Sequence, residues 1–180
     1  MKEERCILQI DKDPKAVIEP DYEKQPFKFH SKLLFAFVPK EDIDNFLEQV
    51  PHKVLGSYDT ISFQPDIYEI ERNGEYFTLC QAPLGGPASV QLLDWLISYG
   101  VNQVLTVGNA GALTDLPENE MLLVKRAIRD EGTSFHYVEP GQFIDLNQGF
   151  LKQVEDVLAT LDLKYDDCLL YTSPSPRDRS

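Results

Sequence analysis

The sequence runs to 180 residues, with 17 Lys and Arg against 30 Asp and Glu and a formal net charge of -13. That excess of carboxylates excludes a phosphate-neutralising nucleic-acid surface and a polybasic membrane patch, both of which need clustered cations. Hydrophobic residues at 42% and charged residues at 26% suit a globular chain long enough to bury one sizeable core. No apolar run approaches a membrane span, and the charged start MKEERC is not a signal peptide. Cys6, Cys80 and Cys168 are far apart and form no CxxC pair. They point to a reducing compartment, the cytoplasm, with no disulfide framework and no zinc site.

Residues 1–30 are charged and Pro-containing without a clear period, and read as an N-terminal extension. Lys32 to Val38 is a continuous apolar run closed by Pro39, the pattern of a strand covered on both faces. Glu41 to Val50 reads as a short helix with Ile43, Phe46, Leu47 and Val50 on one face. Asp66–Arg72 and Glu75–Cys80 flank Asn73-Gly74, a strong hairpin signal. A helix follows, with Pro87 in its first turn, Gly100 at its end and Val90, Leu93, Leu96 and Ile97 on one face. It leads into a strand at Gln103–Val107, completing a βαβ unit with parallel strands. Met121–Ile128 is a further strand, and Asn147–Leu161 an amphipathic helix. The fold class is therefore α/β, with a mixed, mostly parallel central sheet flanked by helices.

In open α/β sheets ligands bind beyond the carboxyl ends of the strands. Two glycine-bearing loops leave such ends, Gln81 to Ser89 and Gly108 to Asp115. Glycines let backbone N–H groups approach an oxyanion, and Gly85-Gly86-Pro87 also opens a helix; ordinary turns would use glycine equally well. Neither loop is a Walker A sequence or a dinucleotide fingerprint, so no NAD site is expected. Arg129 to Tyr137, RDEGTSFHY, gathers a guanidinium, carboxylates, hydroxyls and an imidazole around Gly132. Such groups suit phosphate and sugar hydroxyls, although a polar loop with a local Arg129–Glu131 ion pair has the same composition. A Ser134–His136–Asp130 triad has no nucleophile-elbow sequence behind it. His30, His52 and His136 lack metal-ligand spacing, and His30 and His52 read as surface or boundary residues.

Three stretches, LLFAFVP at 33–39, GGPASVQLLDWLISYGVNQVLTVGNAGAL at 85–113 and AIRDEGTSFHY at 127–137, resemble the nucleoside phosphorylase family in that order. The likeness is strongest to its uridine phosphorylase-like members and covers residues 31–167. It implies phosphorolytic cleavage of a nucleoside's N-glycosidic bond, giving free base and pentose 1-phosphate. The implied alternatives are a nucleoside hydrolase on the same fold and a non-catalytic nucleoside-binding protein. The resemblance places phosphate and ribose against Gly108, Asn109, Ala110, Gly111 and Arg129, and substrate near Glu131, Gly132, Thr133, Ser134 and His136. It implies a homo-oligomer with phosphate as co-substrate and no organic cofactor or metal.

Two positions depart from the family pattern. Many members follow the first strand with Gly-Asp-Pro and a phosphate-binding Arg, where this chain has VPKEDID, with Lys40, Glu41 and Asp44. Uridine phosphorylases carry an Arg before the glycine loop, where Thr106 stands. Lys40 or Arg129 is the expected substitute. Residues 168–180, CLLYTSPSPRDRS, change composition abruptly and resemble a translated sequencing adapter; a Ser/Pro-rich disordered tail has the same composition. On that reading the family's Glu-Met-Glu ribose contacts lie beyond the native part of the chain, the fragment is inactive, and an unpaired edge strand is exposed.

Overall fold

The computed structural model describes residues 10, 13 and 15–172, so Cys6 and residues 173–180 lie outside the described residues. The chain divides into two compact units, one over residues 13–110 and one that includes residues 111–172. No described helix is long and apolar enough to cross a membrane.

The first unit holds β1 (Lys32–Phe37), α1 (Lys40–Leu47), β2 (His52–Ser57), β3 (Asp66–Arg72), β4 (Glu75–Gln81), α2 (Gly86–Ser98) and β5 (Gln103–Gly108). They form a mixed sheet in the order β2-β3-β4-β1-β5. The β3–β4 hairpin turns on Asn73 and Gly74, at φ 54° and 77°, the paired left-handed conformation that a tight two-residue turn demands. β1 pairs in parallel with both β4 and β5, and α2 makes the crossover between those two. β2 escapes a reading by pattern because it is an edge strand with three exposed residues at its start. β5 forms the other edge, with Leu105 and Val107 still more than a third exposed.

The buried stripe of α2 is Leu92, Trp95 and Leu96, continued by Tyr99 after the helix. It is rotated from the expected face, and Ile97 stands 48% exposed. The N-terminal segment explains the rotation. Phe29 is buried, its N–H donates to Tyr99 O at 2.8 Å, and its ring lies 5.2 Å from that of Trp95. Phe27 packs on Phe29, Trp95 and Tyr99, and the Gln25 N–H donates to Tyr99 Oη at 3.0 Å. The stretch read as an extension through residue 30 is thus part of the core from Gln25 onward. His30 ends it, with Nε2 2.5 Å from Glu69 Oε2 and its ring stacked on Tyr76. Gly100 closes α2 at φ 122°, where a Cβ would stand 2.9 Å from Phe29 O. Conformation and space both require glycine there.

The second unit holds β6 (Leu122–Arg129), a 3-10 turn (Thr133–His136), β7 (Phe143–Asp145), α3 (Gln148–Thr160) and β8 (Asp166–Thr172). Its sheet order is β7-β6-β8. Asn147 caps α3 by accepting from the Phe150 N–H at 2.9 Å. β8 runs through Thr172 and pairs in parallel with β6, Cys168 opposite Val124 and Thr172 opposite Arg129. The start of the segment read as a tail is therefore a strand in this structure. Its residues Cys-Leu-Leu-Tyr-Thr suit a strand better than the Ser/Pro run that follows them.

Candidate functional site

In the first unit the parallel register sets Ala36 against Gln81 and Phe37 against Gly108. The carboxyl ends of β1, β4 and β5 thus lie along one edge of the sheet, as the βαβ reading expects. Gln81 Nε2 donates to Val38 O at 2.9 Å and the Ala82 N–H to Ala36 O at 2.8 Å, fastening the β4 end to the β1 end. The loop into α2 turns at Gly85, φ 97°, and is tied by Ser89 Oγ donating to Pro83 O at 2.7 Å. Beside these ends lies a cavity of about 620 Å³. One of its walls, Tyr58 to Phe63, comes from the loop between β2 and β3. That loop escapes a reading from sequence because its run of turn-forming residues, SYDTISFQP, carries no motif.

The glycine loop begins at the end of β5, with Gly108, Asn109 and Ala110 exposed. Its first glycine answers to packing: a Cβ on Gly108 would lie 2.8 Å from Phe37 Cβ and 3.0 Å from Phe37 O. At Gly111 a Cβ would meet nothing within 4 Å, so the fold of its surroundings does not demand glycine. Gly108→Ala is therefore expected to cost about 1–3 kcal/mol, and Gly111→Ala to stay within about 0.5 kcal/mol of wild type. Urea unfolding of the two variants checks this; equal losses would show that Phe37 does not set the requirement at Gly108. Of the cations near this edge, Lys40 Nζ is bound to Asp44 Oδ1 at 2.6 Å, one turn along α1.

Gly111, Arg129 and Glu131 to His136 belong to the second unit. Arg129 is 6% exposed, and its guanidinium is heavily engaged. Nε donates to Ser134 Oγ at 2.9 Å, Nη1 to Glu139 O at 2.6 Å, and Nη2 to Ser134 O at 3.0 Å and Val138 O at 2.9 Å. Its Cζ also lies 4.4 Å from the Phe135 ring centroid. In place of the direct Arg129–Glu131 pair that an ordinary polar loop would form stands a relay, in which Ser134 Oγ accepts from Arg129 and donates to Glu131. Glu131 further accepts from the Ser134 N–H at 3.0 Å, closing the 3-10 turn that begins after Gly132 at φ 88°. This hub fixes the fold of residues 129–139. As a phosphate ligand Arg129 would have to give up bonds that hold its own loop.

The Ser134–His136–Asp130 triad does not form. Ser134 is committed to Glu131 and Arg129, and Asp130 accepts from Tyr171 Oη at 2.9 Å. Thr133 contributes to holding Glu131, and His136 sits exposed at the end of the turn. Burial pushes the Glu131 carboxyl up, but the bonds from Ser134 and Thr133 outweigh it and hold it below its ordinary value. A depressed carboxylate stabilises the fold above its unfolded value, and that stability is lost as pH falls through the folded value. Stability of the second unit should therefore fall below about pH 4.3, and Glu131→Gln should flatten that dependence. Denaturation midpoints between neutral and acid pH test this; an unchanged slope in the variant would contradict it.

The family model of the phosphorylase superfamily matches residues 34–179. The chain belongs to this superfamily. Uridine phosphorylase of Haemophilus influenzae is 30% identical over 67 residues, which cover 37% of this chain and 27% of that protein. The fold is similar to that of Vibrio fischeri uridine phosphorylase, at a TM-score of 0.69 and 21% identity, covering 81% of this chain and 58% of that one. Purine nucleoside phosphorylase from Toxoplasma gondii matches at 0.70 and 13% identity, covering 85% and 61%. Campylobacter jejuni 5'-methylthioadenosine/S-adenosyl homocysteine nucleosidase matches at 0.66 and 16%, covering 83% and 67%. Against the two phosphorylase structures, this superfamily member spans about three-fifths of their length. At these identities the solved structures establish its fold: a mixed α/β sheet with helices.

Proposed function

We propose that the full-length protein cleaves the N-glycosidic bond of a nucleoside with phosphate, releasing the free base and a pentose 1-phosphate. The observation that carries the reading is the convergence of the β1, β4 and β5 carboxyl ends on one sheet edge, in a member of the phosphorylase superfamily. As the bond to the base breaks, the pentose develops oxocarbenium character and phosphate attacks its anomeric carbon. The protein's part is then to position two reactants and to stabilise separated charge. Asn109 and Ala110 are exposed residues whose backbone N–H groups suit an anion, and the Asn109 amide suits a sugar hydroxyl or phosphate oxygen. On this reading the protein is a homo-oligomer that needs no organic cofactor.

Hydrolysis is the second reading, favoured by the commitment of Arg129 to its own loop and of Lys40 to Asp44. Recruiting phosphate would cost Arg129 the bonds that hold its loop and Lys40 its exposed pairing with Asp44. The nucleosidase among the structural neighbours is in keeping with water as the acceptor. Asn109→Ala should lower turnover about a hundredfold while leaving the unfolding midpoint unchanged. Unchanged turnover in that variant would remove the glycine loop from the site.

A further inference from the structure

The N-terminal segment of the first unit meets the β2–β3 loop through one aromatic ring. Pro26 has no N–H to satisfy and biases Gln25 to an extended backbone, so Gln25, Phe27 and Phe29 turn inward while Pro26 and Lys28 stay exposed. The Gln25 N–H donates to Tyr99 Oη at 3.0 Å, the Phe29 N–H to Tyr99 O at 2.8 Å, and the His30 N–H to Thr78 Oγ1 at 3.0 Å. Between these ties the half-buried Phe27 ring stands edge-on to Trp95 at 5.8 Å. The same ring abuts Gly56, where the pairing of β2 with β3 shifts register; a Cβ on Gly56 would lie 2.8 Å from Phe27 Cε1. Two residues further on, Tyr58 opens the β2–β3 loop and rests its ring on Trp95 at 4.9 Å.

The hydrogen bonds of this loop shape it without fastening it to its surroundings. Tyr58 N–H donates to Pro65 O at 3.1 Å, the Thr60 N–H to Phe63 O at 3.2 Å, and the Phe63 N–H to Thr60 Oγ1 at 3.0 Å, all within the loop or at its end. Its seat on the unit is apolar, through Leu55, Tyr58 and Phe63 packed on the core that Phe29 and Trp95 share. Such a loop moves as one piece when its seat changes. Residues 15–20, upstream of the segment, are exposed, so the segment is free to peel from its N-terminal side. We infer that residues 25–29 form a strap that sets the pose of the β2–β3 loop, and that lifting the strap loosens the cavity wall this loop supplies. The control is exerted from outside, because no strap residue lines the cavity. The inference does not depend on which ligand the cavity admits.

Amide hydrogen exchange of the chain tests this at Thr60 and Phe63, whose N–H groups are bonded within the loop. Phe27→Ala should speed exchange at both about tenfold or more. Ile43→Ala is the control, since Ile43 belongs to the separate core cluster of Tyr68, Ile70 and Leu79. It should lower protection in β4 yet leave the loop unchanged, because general destabilisation does not alter a local opening. Gly56→Ala approaches the same contact from the loop's side, pushing on the Phe27 ring, and should also speed loop exchange. Phe27→Leu keeps an apolar side chain and should give a smaller rise; it takes the place of Phe27→Ala if circular dichroism shows that variant unfolded. Loop exchange unchanged in the folded Phe27 variant would overturn the inference, since the loop would then hold its pose without the strap. An equal rise in Ile43→Ala would also overturn it, reducing Phe27 to a contributor to general stability.

Discussion

An Arg129→Ala variant is expected to lose about 3–5 kcal/mol of stability, concentrated in the second unit. The guanidinium is 6% exposed and makes four bonds, to Ser134 Oγ and to the carbonyls of Ser134, Val138 and Glu139. Its removal takes a charge-assisted donor from each of those acceptors, of which Ser134 O keeps the Tyr137 and Val138 N–H groups, and leaves Glu131 without the cation at the far end of the relay. Arg129→Lys should recover only a minor part, because an ammonium cannot span acceptors arranged for a planar fork. Hydrogen exchange over residues 129–139 together with urea unfolding reads both effects. A loss below about 1 kcal/mol would mean that the hub does not hold the loop. In that case Arg129 would again be available to phosphate.

Phe29→Ala should cost about 3–5 kcal/mol in the first unit, as expected for a large buried aromatic. Phe29 joins the N-terminal segment to Trp95 and Tyr99, and its carbonyl lies where a side chain on Gly100 would fall. Val17, fully exposed, is the internal control, and Val17→Ala should change stability by less than about 0.5 kcal/mol. Thermal unfolding followed by Trp95 fluorescence reports on this site directly, since Trp95 is the sequence's one tryptophan. Matching small losses in both variants would show that residues 25–30 are an appendage after all.

Elements with strong local signals were legible in the sequence. The Asn73-Gly74 hairpin, the Pro87–Gly100 bounds of α2, and β1 and β5 follow from turn chemistry and apolar runs within a few residues of each other. What escaped depends on contacts between distant residues. Phe27 and Phe29 sit among Lys, Gln and Pro, so nothing local marks them as core. Their burial follows from a partner some 70 residues on in the chain, Tyr99. The same segment turned the buried stripe of α2 away from the periodicity its own sequence suggests. β2 is an edge strand whose exposed residues blur the alternation on which a strand reading depends.

In the candidate site, the sequence identified the residues of the RDEGTSFHY segment but not how their donors and acceptors are shared. Composition allowed Arg129 to face a ligand or its own loop, and only the positions of Ser134, Val138 and Glu139 decide between them. Gly108 and Gly111 look equivalent in the sequence, yet Phe37 makes glycine obligatory at the first and leaves the second open. The cavity wall at Tyr58 to Phe63 carried no motif, because its shape comes from hydrogen bonds within the loop rather than from any residue with distinctive chemistry.

The most direct measurement is phosphorus NMR of the full-length protein incubated with uridine and inorganic phosphate, with base release followed in the same sample. The proposed function predicts a new pentose 1-phosphate resonance that grows in step with free uracil and stops when phosphate is withheld. Uracil released at the same rate without phosphate, with no such resonance, would contradict phosphorolysis and establish water as the acceptor.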